Sequence, residues 1–205
     1  MYIPAHFAQR DPLALYEAIE RYSFATLVSG AAGELTASHL PLLLDRSGGG
    51  NGTLLGHMAR ANSQWREAAG QEVLAIFAGP HAYISPQWYE ASQVVPTWNY
   101  VAVHAYGRLE LMEERAEVES LLARMVGVYE AGQPQPWRLG EPTEFVERML
   151  RQIVAFRIPI IRIEGKWKLN QNLPPEQRQR VIDVLSQRSD ENSQAIAHMM
   201  RGVGP

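Results

Sequence analysis

The stretch Trp98–Met112, WNYVAVHAYGRLELM, decides the fold class. Trp98, Tyr100, Ala102, His104, Tyr106 and Arg108 alternate with Val101, Val103 and Ala105, and Leu109 and Leu111 continue the aliphatic series. Successive strand side chains point to opposite faces, so this period of two predicts one long strand with its aliphatic face in a core. The aromatic and polar face must then meet a helix, a second subunit or a flat ligand. Six of the thirteen Trp and Tyr residues fall between His81 and Tyr106, so that face is unusually aromatic. A dimer interface and a wall for a planar ligand both fit such a surface.

Outward from this strand the period stays short. Strands are expected at Phe24–Ser29, Leu35–Leu44, Thr53–Ala59, Val73–Ala78 and His81–Ser85, the last two divided by Gly79-Pro80. Asp11-Pro12 opens a first helix, and Ser63 is placed to cap a short one through Ala69. Downstream, Val118, Leu121, Leu122, Met125, Val128 and Tyr129 give Glu114–Ala131 a helical period. A helix over Thr143–Gln152, a strand over Ala155–Glu164 broken by Pro159, and helices at Pro174–Gln187 and Glu191–Arg201 follow. Short, sequentially adjacent strands favour antiparallel pairing, hence a mainly β fold: a small barrel with peripheral α-helices. The loop SGGGNG at 47–52 leads into a strand rather than a helix, which removes it as a phosphate loop.

Composition narrows the function classes. The 205 residues are 46% hydrophobic and 20% charged, ordinary values for a globular domain. Cysteine is absent, which excludes disulfides, thiolate metal sites and a cysteine nucleophile. No apolar run approaches the ~20 residues of a membrane span, and MYIPAHFAQRDP lacks the basic and apolar regions of a secretory signal. A cytoplasmic protein without membrane contact is expected. A net charge of −3 carries no standing basic patch for nucleic acid. Lysine occurs twice, at Lys166 and Lys168, so this spot favours a compact ammonium over a guanidinium fork.

Four clusters could carry chemistry. In GHMARANSQW, 56–65, Arg60 and Asn62 precede a helix start, a combination that suits a phosphate or carboxylate. TASHLPL, 36–42, puts Thr36 and Ser38 on one strand face and His39 on the other. EGKWKLNQN, 164–172, holds both lysines with Trp167, Gln171 and Asn172. The aromatic strand is the fourth. The six histidines show no HxH or HExxH spacing, so no metal site is expected. Ser38 and Ser85 have no nucleophile elbow.

With MYIPAHF, HLPLLLD, GHMARANSQW, VLAIFAGPHAYISPQWY, VPTWNYVAVHAYG and KWKLNQN in order, the chain resembles the PaiB family of FMN-binding negative transcriptional regulators. Ser63 stands where that family commonly has proline, and Asn170 where it commonly has serine. The resemblance implies an antiparallel, Greek-key FMN-binding split β-barrel with additional helices, related to pyridoxamine 5′-phosphate oxidases and flavin reductases. It covers 1–187, leaving 188–205 as a C-terminal helix and tail. It implies a homodimer with FMN at the subunit interface. Arg60 and Asn62 would hold the phosphate or ribityl chain, and Thr97, Trp98 and Asn99 would line the groove. Thr36, Ser38, Tyr83 and Ser85 would lie by the ring, with polar contacts from Lys168 and Gln171. Regulation through DNA would draw on Arg178 and Arg180 of the helix Pro174–Gln187. Two other readings stay open at this point. One is an FMN-dependent reductase or oxidase using NAD(P)H, and the other is haem ligation by His39, His57 or His104 in a related barrel.

Overall fold

The computed structural model describes residues 1–31, 33–140 and 143–202. Nine strands are seen among them: β1 (Ala8–Gln9), β2 (Phe24–Ala31), β3 (Glu34–Pro41), β4 (Leu43–Asp45), β5 (Thr53–Ala59), β6 (Glu72–Ile84), β7 (Thr97–Arg108), β8 (Glu110–Met112) and β9 (Ile153–Lys168). The helices are α1 (Pro12–Arg21), α2 (Gln64–Ala68), α3 (Arg115–Glu130), α4 (Glu144–Leu150), α5 (Pro175–Ser186) and α6 (Glu191–Gly202). The hydrogen-bonded order is β3-β2-β6-β7-β9-β5-β4, with β1 and β8 also on β9. The resolved ladders of β2 with β3 and β6, of β4 with β5, and of β9 with β1, β5 and β8 are antiparallel. None of the described helices is long and apolar enough to cross a membrane.

Two compact units divide the chain. The first comprises Met1–Ala18, Phe77–His104 and the residues from Glu164 on; the second comprises Ile19–Ile76 and Ala105–Ile163. In the first, helices α5 and α6 pack on each other, with Val181, Ile182 and Leu185 of one and Ile196, Ala197 and Met200 of the other buried. In the second, α3 sets Leu121 and Met125 against Leu43, Leu55 and Ala155.

Along β7 the expected alternation holds residue by residue: Val101, Val103 and Ala105 are buried, while Trp98, Tyr100, His104 and Arg108 face outward or are half-buried. Several boundaries differ from the sequence reading. The strand expected through Met112 ends at Arg108, because Leu109 turns to exchange backbone hydrogen bonds with Gly70 and Gln71. Leu35–Leu44 is two strands. Pro41 lacks the N–H to continue the ladder, and the chain passes from β2 as partner to β5 as partner.

Two prolines expected to break strands sit inside them. At Gly79-Pro80 the burial pattern of β6 shifts phase, from Val73, Ala75 and Phe77 to Pro80, Ala82 and Ile84. A phase shift of this kind accommodates a residue without an N–H while the strand continues. Pro159 lies within β9, opposite Thr53, and β9 runs on to include both lysines.

Candidate functional site

In the second unit, strand β3, the end of β5 and helix α2 build a polar cluster. Asn62 donates through Nδ2 to Ser38 Oγ at 2.8 Å and accepts through Oδ1 from the Gln64 N–H at 3.0 Å. Asn62 therefore caps α2. The expected cap, Ser63, has helical backbone angles and makes no side-chain cap bond. Gln64, which the sequence reading passed over, is fully buried and donates from Nε2 to Leu27 O, Ser29 Oγ and Thr36 O at 3.1–3.2 Å. Its presence inside the quoted motif, on the buried side of a short helix, was the signal available. Thr36 and Ser38 share the half-buried face of β3, while His39 points outward, bonds Thr26 Oγ1 and stacks on Phe24.

Arg60 stands at the end of this cluster, and its guanidinium is half used. Nε and Nη2 each donate at 2.8 Å, to the carbonyls of Arg151 and Ile153. This ties down the turn between α4 and β9. The side-on edge of the guanidinium is thereby spent, and the end-on edge, with one N–H on each terminal nitrogen, remains to grip an oxyanion.

In the first unit, Trp98, Tyr83 and His81 form an aromatic platform. The Tyr83 ring meets Trp98 edge-on with centroids 5.8 Å apart, and the His81 ring is tilted at 6.1 Å. Trp98 and Tyr83 are 53% and 46% exposed. Lys168 fixes the strand beneath, donating to Thr97 Oγ1 and to Trp98 O. Burial, and then the neighbouring Lys166 ammonium, hold the Lys168 amine below its usual range. Lys166 is itself buried, its ammonium between the rings of Tyr2 and Tyr100 and bonded to Tyr2 O.

Three of the expected groove residues are turned elsewhere. Asn99 is on the opposite face from Trp98, fully buried, with Nδ2 directed at Met200 Sδ. Alternation forces this: a groove cannot take both 98 and 99 through side chains. Gln171 closes on its own turn, accepting from Leu169 N and donating to Trp167 O. Ser85 Oγ accepts from Gln87 N to cap the short turn Pro86–Tyr89. Arg180, one of the two arginines considered for DNA, is engaged by Tyr89 O at 2.9 Å and Glu90 at 3.3 Å.

Residues 1–162 match the family model described as "Putative FMN-binding domain". The chain belongs to the PaiB-like FMN-binding family. Protease synthase and sporulation protein PAI 2 of Bacillus subtilis (strain 168) is 36% identical over 203 residues, spanning 98% of this chain and 96% of its own. An uncharacterised protein of Aspergillus fumigatus is 30% identical over 217 residues, 83% of each chain. Among solved structures, the flavocytochrome Anf3 from Azotobacter vinelandii superposes with a TM-score of 0.65 at 13% identity, covering 95% of this chain and 78% of its own. A FAD and haem binding protein from Mycobacterium smegmatis gives 0.60 at 14%, covering 78% and 73%. At such identities these two speak for the fold alone, the split β-barrel with added helices that the PaiB-like resemblance implied.

Proposed function

We propose that this PaiB-like chain binds FMN as a homodimer and acts as a flavin-dependent regulator. The observation that carries the reading is Arg60, two residues before Asn62 of the Asn62–Ser38 pair, whose end-on guanidinium edge is left over after its side-on edge is bound. A doubly charged phosphate fits that remaining fork, with Ser38, Thr36 and Asn62 as neutral partners for the ribityl chain. In the first unit, the exposed Trp98 and Tyr83 rings offer a surface suited to stacking a planar ring system, and Lys168 donates to the Trp98 carbonyl. FMN, when bound, would supply reversible hydride or electron acceptance. The chain's own residues would bind and orient it.

Exposed apolar side chains support the homodimer: Phe24 and Leu35, on β2 and β3, are 68% and 82% exposed. A second subunit is the expected cover. Direct DNA contact through α5 is not part of the proposal, since Arg180 is engaged within the fold. A flavin titration monitored by fluorescence quenching, combined with size-exclusion chromatography and light scattering, tests the reading. One FMN per chain in a dimer supports it. Catalytic oxidation of NADH or NADPH by the FMN-loaded protein would move it from regulator to oxidoreductase.

A further inference from the structure

A cleft of about 280 Å³ lies in the first unit between the Pro86–Tyr89 turn, the start of β7 and the segment after β9. Its wall holds Lys168 and, among the described residues, no aspartate or glutamate. Phe7, Val94, Val95 and Leu173 give it an apolar side. Two donors there are incompletely used. Lys168 has three N–H groups and donates to two acceptors, Thr97 Oγ1 and Trp98 O. Tyr89 is 2% exposed, and its hydroxyl oxygen accepts from Asn170 Nδ2 at 3.0 Å. No described residue accepts the Tyr89 proton. A buried O–H without an acceptor is unfavourable, so an acceptor entering the cleft would relieve it.

The backbone around these donors is held in an unusual shape. Glu90 and Asn170, the two non-glycine residues with positive φ among those described, at 49° and 61°, adjoin and line this cleft. Asn170 tolerates the conformation, but Glu90 does not do so readily. Its carboxylate and the Tyr89 carbonyl are both gripped by Arg180. Strain of this kind persists where surrounding contacts over-determine it, and it gathers at ligand sites.

We propose that this cleft binds a small monocarboxylate, with Lys168 and Tyr89 as donors to the oxyanion and the apolar side receiving a short hydrocarbon or aromatic body. A single ammonium and neutral donors suit one negative charge better than two. Asn172, also in the wall, offers a further amide. Arg60, Asn62, Ser38 and Thr36 do not line this cleft, so the inference does not rest on the flavin reading and the two can fail separately.

Calorimetric titration of the full chain with sodium benzoate, with and without FMN, tests it, with benzamide as the neutral isostere. Benzoate should bind at one per chain and benzamide at least tenfold more weakly. Tyr89→Phe removes one hydroxyl and should weaken benzoate about tenfold while leaving FMN affinity unchanged. Lys168→Met should abolish benzoate binding, and serves as the second variant should Tyr89→Phe unfold at lower temperature. Equal binding of benzoate and benzamide, or of benzoate to wild type and to both variants, would overturn the proposal. Absence of benzoate binding beside intact FMN binding would overturn it and leave the flavin reading standing.

Discussion

Asn62 and Ser38 are joined by a 2.8 Å hydrogen bond from Nδ2 to Oγ, and the other end of the same amide caps α2 at the Gln64 N–H. One side chain thus locks the end of β5 to the face of β3 and sets the start of a helix. The two ends can be separated by substitution. Asn62→Asp keeps an acceptor for the cap but removes the donor to Ser38 and adds negative charge. Thermal unfolding should stay close to wild type, because the cap is retained. FMN affinity should fall at least tenfold, about 1.4 kcal/mol, by repulsion of the phosphate.

Gln64 makes the complementary prediction for stability. Its Nε2 serves three acceptors in a fully buried position, and Oε1 has no hydrogen-bond partner among the described residues. Gln64→Glu would aim a carboxylate at the carbonyls of Leu27 and Thr36. Chemical denaturation should show a loss of about 3 kcal/mol or more. Gln64→Leu, which removes the donor without adding charge, should cost less, on the order of 1–2 kcal/mol.

Gly107 is required by close approach. A Cβ there would lie 2.2 Å from Pro159 O and 2.6 Å from Ile158 Cγ2. Gly107→Ala should destabilise by about 1–3 kcal/mol, since backbone must move. Gly127, inside α3 with nothing within 4 Å of its Cβ position, provides the contrast. Gly127→Ala should stabilise by about 0.5–1 kcal/mol. Urea melts of the two variants check both signs.

His57 predicts an acid dependence. Burial holds its pKa below 6.5, and Nδ1 has no hydrogen-bond partner among the described residues. Between the lowered folded value and 6.5 the unfolded chain binds the proton and the folded chain does not. Stability therefore falls as pH drops below 6.5 and is fully present above it. Denaturation at pH 7.5 and 5.5 should show this loss in wild type, and His57→Gln should reduce it.

Much of the architecture was legible because strand alternation is a local signal. The faces of β7 follow directly from WNYVAVHAYGR, and the helix period of α3 sets Leu121 and Met125 inward. What local signals could not settle were the strand ends. Pro80 sits inside its strand at a shift of the burial phase, and Pro159 sits inside its strand opposite Thr53, which no local pattern reveals. Leu109 leaves its strand for partners almost forty residues away in sequence, Gly70 and Gln71. At the level of residue types, Asn62 and Ser38 do come together, while Arg60 is held by the carbonyls of Arg151 and Ile153. Direction was harder. Asn99 and Gln171 looked equivalent to Trp98 and Lys168, yet one faces the core and the other its own turn. Gln64 and Tyr89 were overlooked because their roles arise only when distant acceptors and donors converge.

The most direct test of flavin binding is the equilibrium affinity of the purified chain and of Arg60→Ala for FMN, measured by fluorescence titration with riboflavin as the phosphate-free control. Binding of one FMN per chain, weakened by about 2 kcal/mol or more in the variant and with little change for riboflavin, is the predicted result. Unchanged FMN affinity in Arg60→Ala, or no uptake of FMN by the wild-type chain, would contradict it.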